Sequence, residues 1–213
     1  MITPRQSLAL LKWTTVLLIL YVTCHITRNY VDYFQLNFES EFLRGREPHF
    51  WGSYSIAFFV HLLTGPTALL TGLVAMNQTL RRRFPRWHRR VGKAHILIVL
   101  LGIVPSGILM ARYAMSDWIA GVGFACLALC TGICAGWGWY SATQRRWQIH
   151  QVWMTRCFVL LCSAIVLRLF AGLLTVIEVT WEGSYSFSAW ATWIVPLSVY
   201  EFGRKLRLHR WIG

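Results

Sequence analysis

The sequence predicts an all-α polytopic membrane protein, a bundle of about six transmembrane helices with the N- and C-termini cytoplasmic. Three observations predict it. First, 56% of the 213 residues are hydrophobic and only 14% are charged, where a soluble domain carries about 45–50% apolar and about a quarter charged residues. Second, the apolar residues come in long blocks and not in amphipathic stripes, and a block of about 18 or more with few charges is long enough to span a bilayer. Third, lysine and arginine are shared very unequally between the segments that join the blocks.

The blocks are 8–27, 52–80, 94–110, 119–141, 152–177 and 187–203, read as one integral-membrane domain over residues 1–213. Each approaches the ~20 residues that hydrocarbon requires. The first is followed by "TCHITRNY" and not by a small-residue cleavage site, so it reads as an anchor. The segment from Arg28 to Trp51 is mixed in charge and rich in aromatics, and reads as an outer loop with a short amphipathic cap. The second block contains "HLLTGPTALLTG", where Pro66 marks a kink whose freed backbone groups find partners on neighbouring helices. The third follows the basic stretch "RRRFPRWHRRVGKAH". The fourth carries Gly132 and Gly136, a small-residue spacing that lets membrane helices approach closely. The fifth follows "RRWQIHQVWMTR", and the sixth is short and contains Pro196. Trp51, Trp87, Trp118, Trp147, Trp181 and Trp211 fall at block ends, as an aromatic belt does.

Charge sets the orientation. With the N-terminus inside, sixteen lysines and arginines fall on inner segments and four on outer ones, while seven of the eight acids lie at the outer side and only Glu201 near the inside. That bias places both termini in the cytoplasm. It also argues against nucleic acid, which a net charge of +13 and a pI near 10.1 would otherwise suggest, because the cations sit in short loops between apolar blocks. The chain has no phosphate loop, dinucleotide fingerprint, zincin motif or nucleophile elbow. Its six cysteines fall within or beside the apolar blocks, which is not a disulfide framework.

Several residues carry potential chemistry. His61 and Arg168 each lie some ten residues from the outer end of their block, about 15 Å deep. Ionisable groups at such depth are costly and point to function. A pocket built from them suits a quinone headgroup or haem propionates; the structural alternative is a hydrogen-bond network joining the second and fifth helices. His88 and His95 are about 10 Å apart on a continuous helix, too far to share a metal ion with bonds of ~2 Å. His150 opens the fifth block at the same inner boundary as His95, so two imidazoles there suit haem b or a metal; the alternative is interfacial histidines bonding lipid phosphate. Arg89, Arg90, Lys93 and Arg156 are candidates for anionic lipid or another anion at the inner face, at ~1 kcal/mol per cation. Cys126, Cys130 and Cys134 form one stripe, with Cys157 and Cys162 at matching depth. Cys130 and Cys134 are weak copper(I) candidates, and close helix packing is their ordinary reading.

"HLLTGPTALLTG", "WHRRVGKAH", "HQVWMTR" and "AIVLRLF" together resemble a bacterial family of predicted multi-pass membrane proteins, the domain of unknown function 2306. The matching positions are His61, Gly65, Pro66, His88, Arg89, Gly92, Lys93, His150, Trp153, Met154, Arg156 and Arg168, about half the chain. His95 departs from the pattern, since the family more often has tyrosine there, which weakens any scheme that needs His95 as a ligand. The resemblance implies the fold and a place in the bacterial cytoplasmic membrane, and it brings no activity.

Three function classes remain open from the sequence. One is an electron-transfer component binding haem b or a quinone. Another is a non-enzymatic accessory or assembly subunit, whose basic inner face binds anionic lipid or a redox or assembly partner protein. The third is a small transporter with a proton path through His61 and Arg168.

Overall fold

The computed structural model describes residues 3–40, 42–114, 118–178, 181 and 183–212. The chain divides into two compact units, Met1–Trp51 and Gly52–Gly213.

In the first unit, α1 (Pro4–Arg28) starts at a reciprocal cap. The Gln6 backbone N–H donates to the Thr3 hydroxyl, and the Thr3 backbone N–H donates to the Gln6 side chain at 2.9 Å. Pro4 follows, where its missing N–H costs nothing. Two short helices come next, α2 (Tyr30–Phe34) and α3 (Glu47–Phe50). Around them Phe38 packs against the rings of Phe50 and Trp51. The Arg46 guanidinium lies 4.3 Å from the Phe42 ring, and its Nε donates to the Phe42 carbonyl.

The second unit contains α4 (Ser53–Met76), α5 (Gln78–Arg83), α6 (Pro85–Leu97), a π-helical turn (Ile98–Ile103), α7 (Val104–Ala111), α8 (Trp118–Thr143), α9 (Trp147–Leu161), α10 (Ser163–Val176) and α11 (Ser184–Ile212). Every described element of regular structure is a helix. Five stretches are long and apolar enough to cross a membrane: Ala9–Phe34, Ser53–Met76, Pro85–Ala111, Trp118–Thr143 and Trp147–Val176. The predicted sixth span lies inside α11, which has 29 residues. Trp190, Thr192, Trp193, Ser198, Tyr200 and Glu201 hold down its hydropathy. Large side chains such as Leu101 and Ile133 are 73% and 60% exposed, as expected where lipid is the solvent.

The third span begins earlier than the apolar pattern implies. The sequence places its start at 94; the helix starts at Pro85 and carries Arg86 to Lys93 as two further turns. Proline at the first helical position favours that start, and the burial of His95 and Ile96 anchors its end. Further along, Pro105 lacks the N–H of a regular ladder. Just before it the helix widens, and the Val104 N–H bonds the Val99 carbonyl, five residues back. The fifth span is also two helices, α9 and α10, joined at Cys162.

Span α6–π–α7 runs antiparallel to α4. His61 meets Ser106, Thr64 faces Gly102, and Gly72 faces His95, so the order along one helix reverses along the other. α8 packs against α7, α9 and α11. Tyr54 against Tyr113, Phe124 against Tyr185, and a Trp190 indole donating to the Ile119 carbonyl mark one end of the unit. α5, the start of α6, the α8–α9 turn and the last turns of α11 form the other, basic end.

Close approach needs small residues. A methyl group built on Gly72 would fall 2.6 Å from the Phe158 ring and 3.2 Å from His95. A methyl on Gly136 would meet nothing within 4 Å. Gly72→Ala is therefore expected to destabilise the protein by about 1–3 kcal/mol, and Gly136→Ala to leave it unchanged, in denaturant unfolding followed in detergent. Equal stability of the two variants would contradict the close packing of α4 on α9.

Candidate functional site

His61 is half-buried on α4, and its Nδ1 is 3.0 Å from the Ser106 hydroxyl of α7. That hydroxyl is 2.6 Å from the Gly102 carbonyl, one turn earlier. A carbonyl only accepts, so the serine proton goes to Gly102. His61 Nδ1–H must then donate to Ser106 Oγ, and Nε2 keeps its lone pair. Arg168 on α10 is near enough for its charge to act on the His61 ring. Its Nη1 donates to the Ala164 carbonyl of its own helix at 3.2 Å. α4 and α10 do not pack against each other, so the two residues face one another only through the reach of that charge.

Two more histidines repeat the arrangement. His95, only 1% exposed, has Nδ1 at 3.1 Å from the Thr71 hydroxyl, which donates to the Thr67 carbonyl at 2.7 Å. His150 has Nδ1 at 2.8 Å from the Gly138 carbonyl of α8. In each, Nδ1 is the donor.

Depth separates these rings. His95 sits beside Phe158, eight residues along α9 from His150, or about 12 Å by helical rise. The expected His95–His150 pairing at one boundary is not what the helices produce. The neighbour of His150 is His88, close enough for the two rings to interact electrostatically. His88 and His95 stay two turns apart because the helix is continuous between them. His88 Nδ1 is buried without a hydrogen-bond partner, and its ring reaches the backbone of Ala75.

A family model described as a predicted membrane protein, DUF2306, matches residues 58–213. The chain belongs to this family. No curated protein and no solved structure matches the chain. The DUF2306 match spans α4 to α11, so it takes in the last helix as well as the stretch from His61 to Arg168.

The remaining candidates in this DUF2306 chain separate by environment. Arg89, Arg90 and Lys93 are exposed on α6, and with Arg86 they line an open cleft of about 220 Å³. Arg156 is instead partnered: its Nε donates to Glu201 at 2.6 Å, and its guanidinium stacks 4.3 Å from the Trp153 ring. Arg204 holds the other Glu201 oxygen at 2.8 Å. This Arg156–Glu201–Arg204 triad ties α9 to α11. Sequence reasoning did not find it, although the signal was there: Glu201 is the one acid on the basic side. Cys134 and Cys157 are buried neighbours, Cys130 lies beside Cys126, and all six cysteines are free thiols. No group of three or more His, Cys, Asp or Glu is placed to hold a metal among the described residues.

Ser106 and Thr71 are the site residues the sequence left unnoticed. Each lies on a face shared with a histidine only once the antiparallel register of α4 and α6–α7 is known.

Glu201→Gln leaves Arg156 and Arg204 without their carboxylate. It should cost roughly 1–2 kcal/mol of stability, less than a fully buried charged hydrogen bond because solvent reaches the triad. Arg204→Gln, which leaves the α9–α11 pair intact, should cost less. Thermal unfolding of both in detergent checks the order, and a larger loss for Arg204→Gln would contradict it.

Proposed function

We propose that this membrane protein binds the headgroup of a lipid-soluble quinone at His61 and Arg168, as an electron-transfer component of the bacterial cytoplasmic membrane. The observation that carries the reading is the His61–Ser106–Gly102 chain. It leaves His61 with Nε2 as acceptor, suited to a quinol hydroxyl, while the Arg168 guanidinium is a donor for a quinone carbonyl. The two residues stand on helices that do not pack together, so a ligand dissolved in the bilayer reaches them from the side.

Haem b fits less well at this level. A haem held between two imidazoles needs two histidines at one depth. His61 and His95 occupy separate levels, and the pair at one level is His88 with His150. The accessory-subunit reading draws instead on the cationic face of α6 and requires nothing of His61.

The test is titration of the detergent-purified protein with short-chain ubiquinone and menaquinone analogues, read by quenching of tryptophan fluorescence. His61→Ala and Arg168→Ala are expected to weaken binding about tenfold or more, and Ser106→Ala about fivefold, the equivalent of one net hydrogen bond of ~1 kcal/mol. Equal affinity in wild type and His61→Ala would sink the proposal. A reduced-minus-oxidised spectrum with a sharp α band that disappears in His61→Ala would make that ring a haem ligand instead.

A further inference from the structure

The basic stretch before the third span remains unexplained by His61 and Arg168. Arg86, Arg89, Arg90 and Lys93 follow one another at helical spacing on α6 and surround a single open cleft. Residues three, four and seven apart share one face of a helix. Like charges so arranged repel and need an anion. The surrounding sequence does not supply it: no aspartate or glutamate occurs between Glu47 and Asp117. Glu201, at the same end of the unit, is taken by Arg156 and Arg204. Among the described residues no carboxylate pairs with any of the four cations.

The surroundings point to the source of the anion. α6 runs without a break into the span Pro85–Ala111, so its first two turns stand where the span leaves the hydrocarbon. Phe84 and Trp87, neighbours of the cleft residues in the chain, are 55% and 57% exposed, and such aromatics settle at the headgroup level. The Arg90 guanidinium lies 5.5 Å from the Trp87 ring, which holds one wall of the cleft in place. Arginine is suited to bidentate contact with phosphate oxygens.

We infer that Arg86, Arg89, Arg90 and Lys93 form a binding site for the phosphate of an anionic phospholipid, its acyl chains lying along the third span. With the basic end in the cytoplasm, the lipid belongs to the inner leaflet. The phosphate sits among the four cations and neutralises a face that pairs with no carboxylate among the described residues.

Native mass spectrometry of the full chain, released from detergent containing equal amounts of phosphatidylglycerol and phosphatidylcholine, tests this. Wild type is expected to retain phosphatidylglycerol preferentially, at about one molecule per chain. Single Arg89→Gln and Lys93→Gln variants should each lower its affinity about fivefold, and the quadruple glutamine variant should abolish the preference. The control is a variant with Arg81, Arg82 and Arg83 changed to glutamine. It removes nearly as much charge from α5 and should keep the preference. The single variants keep the inference testable should the quadruple variant fail to fold. Equal retention of the two lipids overturns the site. Equal loss in the α5 control overturns it too, reducing the effect to net charge. Displacement of the lipid by inorganic phosphate at matched concentration would assign the cleft to a free anion and overturn the lipid reading.

Discussion

In hydrocarbon a polar side chain has no water to fall back on, and the helices of this protein are arranged so that three of its imidazoles meet a protein acceptor. His61 donates to Ser106, His95 to Thr71, and His150 to the Gly138 carbonyl. In the first two the accepting hydroxyl passes its own proton to a carbonyl one turn back. A hydroxyl oriented in that way turns its lone pairs to the ring, which must donate to it. The same bond thus performs two tasks. It fixes the antiparallel register of α4 against α6–α7, and it sets the tautomer that the proposed site requires.

That register depends on how closely the helices come together. Gly72 admits both Phe158 and His95, Gly102 faces Thr64, and Gly138 lies against Met154. The π-helical turn belongs to the same arrangement. Pro105 interrupts the hydrogen-bond ladder one residue before Ser106, and the widened turn from Ile98 to Ile103 absorbs the interruption without ending the span. Wide turns of this kind are rare and recur at functional positions. Here the turn lies between the two residues, His95 and Ser106, through which the third span bonds to α4.

Much of this fold was legible in the residues. Long apolar blocks give the spans directly, because a bilayer demands length and apolarity and little else. Counting residues along two helices predicts one depth for His61 and Arg168, and the Arg168 charge acts on the His61 ring. The start of the third span was missed because Arg86 to Lys93 reads as a polar loop by hydropathy, while proline at the helix start and a buried His95 make it helical. The expected pairing of His95 with His150 failed for a related reason. Once the helix begins at Pro85, His95 lies nearly three turns inside it, and His88 becomes the neighbour of His150. Ser106, Thr71 and the Glu201 triad depend on which faces meet, and single-chain periodicity carries no information on that. The Gly132–Gly136 spacing was half-informative: Val104 packs against Gly132, and open space lies beside Gly136.

The proposed quinone site depends on one proton on one ring, that of His61. Nitrogen NMR of the detergent-solubilised protein, with ¹⁵N-histidine and a Ser106→Ala comparison, reads it directly. The account predicts a protonated Nδ1 and an unprotonated Nε2 for His61 in wild type, with the Nε2 resonance moving when a short-chain quinol is added and the tautomer preference lost in Ser106→Ala. A His61 ring protonated at Nε2, indifferent both to quinol and to removal of the serine hydroxyl, would contradict it.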